Sequence, residues 1–385
     1  MLMAQQAPMF TNYSNSYATV NPGFGGLSEG INVMGIYRDQ WTGFKDMDGN
    51  AIAPRTMLFS GDMPIKVLHG GVSLSVMNDK IGFEDDVNIN LGYSEEKETT
   101  RLINSKGLDL KKSFSYGFMV CDVVMKDGDD VRDEFGYQIK LDYNDFNIEE
   151  LANNIVTRLQ KQLHPVQIES KSYPVILENK MVISLLGAFT SMFSSESALR
   201  NMTLLKGKEG EKIASELITL VDDPLYEKGI FQHSFDNQGV ACYKKSLIEK
   251  GVFKTLLYDL KTAMMFNTTP TGNSFGGISP TNLCLECGNT SLEDMAKTID
   301  DGLLITSLQG LHAGLNPVSG DFSAQASGFR IENGKVTYPV SLIVVSGNFL
   351  KLLQDVEIVG NDEFISYNGV SAPSLKISKL SISGK

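Results

Sequence analysis

The chain has 385 residues, 42% of them hydrophobic, and 34 Lys and Arg against 46 Asp and Glu, for a formal net charge of -12. That length buries a real core and fits two or three domains. The scattered cations exclude a nucleic-acid groove, which needs clustered Lys and Arg, and no run reaches the roughly 18–20 apolar residues of a membrane helix. Four cysteines fit a reducing compartment better than a disulfide scaffold.

Residues 1–8 hold a small-residue Met-Ala-Gln junction like the end of a cleaved signal, but no Lys or Arg occurs before Arg38, so they are not expected to direct export. A turn-rich stretch over 12–26 precedes a predicted strand over 31–41. Residues 72–82 and 88–93 alternate as strands with one apolar and one polar face do. At Tyr93, Ser94 and Glu95 the Gly-rich alternation gives way to a charged run over 95–101, which reads as a junction between two unrelated sequences.

Beyond Arg101 the pattern is α+β. A long strand is predicted over 114–125, then an acidic turn over 126–130 and a strand near 137–141. The turn lacks the Gly and closing Glu of a calcium loop and reads as solvated. Ile148, Leu151, Ile155, Leu159 and Leu163 share one helix face, and His164 with Pro165 stops that helix. His164 reads as a partner of the helix dipole. A strand over 173–178 leads into a single helix predicted across 181–200.

The loop over 204–210 lacks the Gly-Lys-Ser/Thr ending of a phosphate loop. A strand over 216–221 ends at Asp222, Asp223 and Pro224. Asp222, Asp223 and Asp236 are candidates for a carboxylate cluster, with turn capping as the plainer reading. His233 has no nucleophile and supporting acid that the sequence can place beside it, and is given no role. Residues 249–251 read as a hairpin turn. Cys284 and Cys287 have zinc-ribbon spacing but no second pair, Cys121 and Cys242 being single and distant, so they read as part of an ordinary strand.

Ser291 to Asp294 has the spacing of a capping box, opening a helix with Leu292, Met295 and Ile299 inward. A strand follows over 303–308. His312 is the histidine best placed for ligand contact, although a lone His is more often structural. Pro317 fixes its own φ, Gly320 can take φ > 0 and Asp321 can bond its own backbone, so 316–321 is an ordered turn. Phe329 and Ile331 alternate with Arg330 before Asn333 and Gly334, a pair that favours a type I′ hairpin returning over 336–340. An imperfectly alternating strand over 374–383 closes the fold.

The run over 316–334, with Gly347, Asn348 and the stretch 359–362 after it, resembles the C-terminal signature of the TldD/PmbA family, in its PmbA (TldE) branch. The similarity continues upstream through Tyr173 to Leu177, Asp222 to Pro224, Phe235 to Gly239, 247–251 and 280–283, and covers roughly 94–385. It implies an α+β fold, with a partial middle domain over 94–172 and a C-terminal domain of mixed strands and helices over 173–385, the family's own N-terminal region being absent. Residues 1–93 resemble instead the N-terminal part of PorP/SprF proteins, outer-membrane components of type IX secretion. Three or four strands cannot close a membrane barrel, so this would be a β-rich fragment.

In the TldD branch the helix corresponding to 181–200 is expected to carry a His-Glu-x-x-x-His zinc motif, with a Cys near the C-terminus as third ligand. Here 181–200 has no His, Glu196 is its only acid, and 367–373 has no Cys. The resemblance therefore implies a non-catalytic, peptide-binding subunit of a two-subunit zinc metallopeptidase acting on short unfolded peptides in the cytoplasm. No cofactor is expected in this chain; a TldD-like partner would supply zinc and the catalytic Glu. His312, Asn316, Gly320, Asp321 and Phe322 are the expected peptide contacts. No nucleic acid is expected, nor a membrane for 94–385, and the family's older naming as a modulator of DNA gyrase finds no basic patch to match it. Two alternatives stay open. One is a metallopeptidase in its own right, using Asp222, Asp223 and Asp236 with His233 or His312. The other is a type IX secretion-associated protein of the cell envelope, suggested by 1–93.

Overall fold

The structure, a computed structural model, describes residues 32–39, 55–65, 70–80 and 87–385, with side chains from Gly92 onward except Glu95. The signal-like residues 1–8 and the turn-rich stretch 12–26 lie outside the described residues. The chain divides into two units, one of Met1–Gly92, Val120–Tyr137 and Asn147–Leu159, the other of Tyr93–Met119, Gln138–Phe146 and Gln160–Lys385.

In the first unit β1 (Asn32–Asp39), β2 (Arg55–Ile65) and β3 (Gly70–Lys80) pair antiparallel in sequence order. The sequence predicts the outer two; β2 is an addition. A second three-stranded sheet, its residues divided between the two units, is formed by β4 (Val87–Ile103), β5 (Asp109–Asp127) and β6 (Asp130–Lys140). β4 runs unbroken through the charged stretch read as a junction, because exposed polar residues can occupy both faces of a strand. Thr99 Oγ1 meets Ser113 Oγ at 2.9 Å and Arg101 pairs with Asp109 at 2.7 Å, tying β4 to β5. α1 (Ile148–Gln162) buries Leu151, Ile155, Val156 and Leu159, as its periodicity predicts. Gly136 on β6 permits that approach, since a Cβ there would lie 2.6 Å from Ile155 Cδ1.

The second unit runs β7 (Lys171–Leu177), α2 (Asn179–Phe189), α3 (Ser195–Leu199), β8 (Leu220–Asp222), β9 (Lys245–Glu249), β10 (Val252–Phe253), α4 (Leu260–Met265) and β11 (Leu283–Leu285). It continues through α5 (Leu292–Lys297), β12 (Asp301–Gln309), β13 (Asp321–Glu332), β14 (Lys335–Asn348), α6 (Phe349–Gln354), β15 (Val356–Val359), β16 (Phe364–Ile365), β17 (Val370–Ala372) and β18 (Leu375–Ser383). One six-stranded sheet has the order β14-β13-β12-β7-β18-β15, and a further β14–β18 pairing closes its first five strands into a ring. The other has the order β10-β9-β8-β11-β17-β16.

α2 carries apolar residues nearly all round, so it must be buried, and it packs against both β12 and β17. Phe189 at its end is fully buried, stacked on Phe349 at 4.6 Å and edge-on to Phe322. The single helix predicted over 181–200 is in fact two. α2 gives way to a 3₁₀ turn at Thr190–Phe193, and α3 starts afresh with Ser194 accepting Glu196 N as N-cap. Ser195 N donates to Leu257 O at 3.0 Å, so a tertiary partner and a local serine cap replace helical bonds in a Ser-rich run. The strand predicted over 216–221 shrinks to β8, because Ile218 N bonds back to Ser215 O in a turn. The hairpin at Asn333 (φ 49) and Gly334 (φ 76) is as predicted, with Glu332 opposite Lys335. A register shift between Ile377 and Leu380 accounts for the imperfect alternation of β18.

Candidate functional site at the end of helix α2

The start of α2 is fixed by Asn179, whose N donates to Ser374 Oγ at 3.0 Å and whose Nδ2 donates to Asp362 O at 2.9 Å. Its far end meets the turn before β17, where a Cβ on Gly187 would lie 3.3 Å from Asn368 Nδ2. Asn368 Oδ1 accepts Val370 N at 3.2 Å, which leaves the amide NH2 beside Gly187. Gly369 (φ 75) is required there, because a Cβ would lie 2.5 Å from Thr281 O.

The facing wall is the loop before β11, and two of the candidate carboxylates hold it. Asp222, fully buried, accepts Thr281 N at 2.7 Å on Oδ1, and Asn273 Nδ2 at 2.7 Å and Lys245 Nζ at 2.9 Å on Oδ2. Asp236, also fully buried, accepts Gln238 N and Val240 N at 2.9 Å and Ser274 N at 3.1 Å. Asp223 pairs with Lys244 at 3.1 Å and accepts Leu225 N at 3.3 Å. Each carboxylate is committed to its own donors, so the three anchor loops and form no cluster.

Between the two walls lies a cavity of about 410 Å³, lined among others by Gly187, Thr190, Phe231, His233, Phe275 and Thr281. The His233 ring is stacked between Phe231 (5.8 Å, 9°) and Phe275 (4.7 Å, 24°), with Phe114 edge-on at 5.2 Å. Its Nδ1 has no hydrogen-bond partner. Burial, aided by the nearby Lys112 charge and opposed by Glu98, lowers its pKa to about 4, so the ring is neutral at pH 7. Lys112 is buried, donates from Nζ to Phe235 O at 2.9 Å, and lies over the Phe235 and Phe275 rings at 5.0 and 5.1 Å. Burial lowers its pKa, while Cys242, Glu98 and Asp236 oppose that shift.

The residues expected to contact peptide lie elsewhere. His312 is exposed in the link after β12. Asn316 N donates to Asp321 O at 2.8 Å, its Oδ1 accepts Val318 N and Ser319 N, and Gly320 N returns to Asn316 O at 2.9 Å. The Asp321 carboxylate accepts Asn348 Nδ2 at 2.9 Å and Ser319 Oγ at 2.7 Å, and these bonds hold its pKa below the usual range. Phe322 is 3% exposed, in the core. None of the five lines the cavity. The sequence reading left His233 without a role and missed Phe231, Phe275, Lys112 and Gly187 altogether. The one local signal was the Phe-x-His spacing of 231–233. Cys284 and Cys287 are ordinary thiols, with burial pushing Cys284 up to about 11 and raising Cys287.

The cavity offers one imidazole, the hydroxyls of Thr190, Ser279 and Thr281, and the Asn368 amide. Protein zinc sites take three or four Cys, His or carboxylate ligands, so this set does not fit zinc. Among the described residues no group of three or more His, Cys, Asp or Glu could hold a metal ion, and no helix is long and apolar enough to cross a membrane.

Residues 170–384 match the family of the PmbA/TldA metallopeptidase C-terminal domain, and residues 2–159 match that of the type IX secretion system membrane protein PorP/SprF. An uncharacterised protein of Methanocaldococcus jannaschii is 32% identical over 273 residues, 69% of this chain and 62% of that one; the chain thus spans about three fifths of this relative's length. A metalloprotease PmbA homolog of Buchnera aphidicola is 27% identical over 306 residues, 75% of this chain and 67% of that one. The crystal structure of a modulator of a DNA gyrase from Thermotoga maritima superposes with a TM-score of 0.70 at 27% identity, covering 96% of this chain and 83% of that one. That coverage takes in the strands before Val87 as well, which lie within the PorP/SprF match. With its C-terminal domain matched over more than half the chain and its fold shared with a solved relative, the chain belongs to the PmbA/TldD metallopeptidase family.

Proposed function

We propose that this chain is the non-catalytic, peptide-holding subunit, TldE-like, of a two-subunit zinc metallopeptidase that works on short unfolded peptides in the cytoplasm. The observation that carries the reading is the make-up of the cavity. It is walled by the end of α2 and the turn before β17, the two segments on which the resemblance to the TldD branch puts zinc ligands. Here those segments present Gly187, Thr190 and Asn368. A pocket kept in that place without metal ligands supports binding without cleavage. We place the peptide at this cavity rather than at the 316–321 turn, whose polar groups are already engaged with one another. A TldD-like partner would bring the zinc and the catalytic Glu.

The test is hydrolysis of an unstructured peptide by the purified, folded chain with zinc supplied, then with a TldD-like subunit added, each with a chelator control. No cleavage alone and chelator-sensitive cleavage by the pair is the expected result. Chelator-sensitive cleavage by the chain alone would overturn the reading. A second reading, association with the cell envelope, is favoured by the PorP/SprF match over 2–159. Recovery of the protein in the outer-membrane fraction of cells would support it over a cytoplasmic site.

A further inference from the structure

We infer that the cavity is a side-chain pocket selective for an aromatic residue with a hydrogen-bonding edge, tyrosine or tryptophan, on an unfolded peptide. The inference rests on the peptide-holding reading above and adds to it what the pocket prefers. Three features lead there.

The first is size and shape. A volume of about 410 Å³ falls low in the range of about 300–1,000 Å³ typical of ligand pockets, enough for one large side chain and some of its backbone. The stacked faces of Phe231, His233 and Phe275 give a flat aromatic wall, and Leu283 and Val370 add aliphatic surface. An aromatic guest packs on such a wall by offset or edge-on contact.

The second feature is unspent hydrogen-bonding capacity. His233 and Thr281 are 9% and 5% exposed, both line the cavity, and neither His233 Nδ1 nor Thr281 Oγ1 has a partner. Leaving such a buried group unmade costs about 1–3 kcal/mol. A phenol O–H can both donate and accept, so tyrosine can supply a partner to each atom, while an indole N–H can donate to one of them. Leucine or phenylalanine would fill the space and leave both atoms unpaired.

The third is charge. None of the lining residues is an acid, a lysine or an arginine. Behind the Phe275 ring stands the Lys112 ammonium, 5.1 Å from its centroid, with one of its N–H groups donated to Phe235 O. A guest lysine or arginine would be buried without a counter-ion and beside a like charge.

The experiment is a set of otherwise identical unstructured peptides with Tyr, Trp, Phe, Leu or Lys at one central position, titrated against the full chain by fluorescence anisotropy. Tyr and Trp are expected to bind about tenfold more tightly than Phe or Leu, and Lys at least about a hundredfold more weakly than Tyr. Thr281→Val should weaken the Tyr peptide and leave the Phe peptide unchanged. Gly187→Leu, which fills the cavity from the helix side, should abolish the discrimination, and Thr190→Leu does the same from the next turn should the first variant fail to melt cooperatively. Equal affinities across the series, or discrimination that survives in a folded filled variant, would overturn the pocket assignment while leaving peptide holding intact. No binding of any peptide by the folded chain would overturn both.

Discussion

Two loops of the second unit are each built around an Asn or Asp side chain that accepts backbone N–H groups, yet they end in opposite states. In the 316–321 turn most bonds close at short range: Asn316 accepts Val318 N and Ser319 N, Gly320 N returns to Asn316 O, and the distant partners are two neighbours in sequence, Asn348, which donates to Asp321 and Ser319 O, and Phe349, whose N donates to Gly320 O. In the loop before β11 the aspartates reach far. Thr281 is 59 residues from Asp222, and Ser274 is 38 from Asp236. The long-range bonds hold the loop against an aromatic layer and leave His233 Nδ1 and Thr281 Oγ1 over. A turn that satisfies itself is finished as structure. A wall assembled from distant anchors, with buried polar atoms to spare, is where a ligand has something to gain.

The largest test of that contrast is Asp222→Ala. It strands the buried Lys245 ammonium and releases Thr281 N and Asn273, so we expect a loss of about 3–5 kcal/mol in denaturant unfolding. Peptide affinity should fall with it. Next comes pH. The folded pKa of His233, about 4, lies below its ordinary 6.5, so between those values the unfolded chain takes up a proton that the folded chain refuses. Its contribution is therefore complete above pH 6.5 and is lost as pH falls towards 4, by about 3 kcal/mol in all. Measured as a difference, His233→Phe should remove that slope, and parallel curves for the two proteins would sink the assignment of a neutral buried imidazole.

The other two predictions probe the self-satisfied loop. Gly320 sits at φ 85, and a Cβ there would lie 3.2 Å from Asn348 Nδ2, so Gly320→Ala should cost about 1–2 kcal/mol by thermal unfolding with no change in peptide affinity. Asn316→Ala removes two hydrogen bonds at an exposed site and should cost about 0.5–1 kcal/mol, again without effect on binding. Weakened peptide binding in either variant would break the comparison and return the peptide to this turn.

Legibility followed the range of the interactions. The β13–β14 hairpin was readable because Asn333 and Gly334 dictate their own φ angles, and α1 because its apolar face repeats within fifteen residues. The break after Phe189 was not, since the residue that captures Ser195 N is Leu257. β4 hid for another reason: a change of composition at Tyr93 looks like a boundary, but a strand can carry one chemistry at its start and another at its end. The cavity was the least legible of all. Its aromatic layer gathers Phe114, Phe231, His233 and Phe275, and no local pattern announces that a phenylalanine on β5 will meet a histidine more than a hundred residues later. Gly187 carries no signal either, because a glycine inside an apolar helix reads as a weakness until the turn with Asn368 is beside it.

The closed ring of strands sets a timetable for biosynthesis. β7 is flanked by β12 and β18, and Leu177 pairs with Leu375, roughly two hundred residues further along. At a translation rate of about 5–20 residues per second, β7 waits on the order of 10–40 s for that neighbour. During the wait its Val175, Ile176 and Leu177, wholly enclosed in the finished protein, stand on an open edge that any other nascent strand could join. The same closure that leaves the mature ring sealed therefore makes the half-made chain a natural client for chaperones.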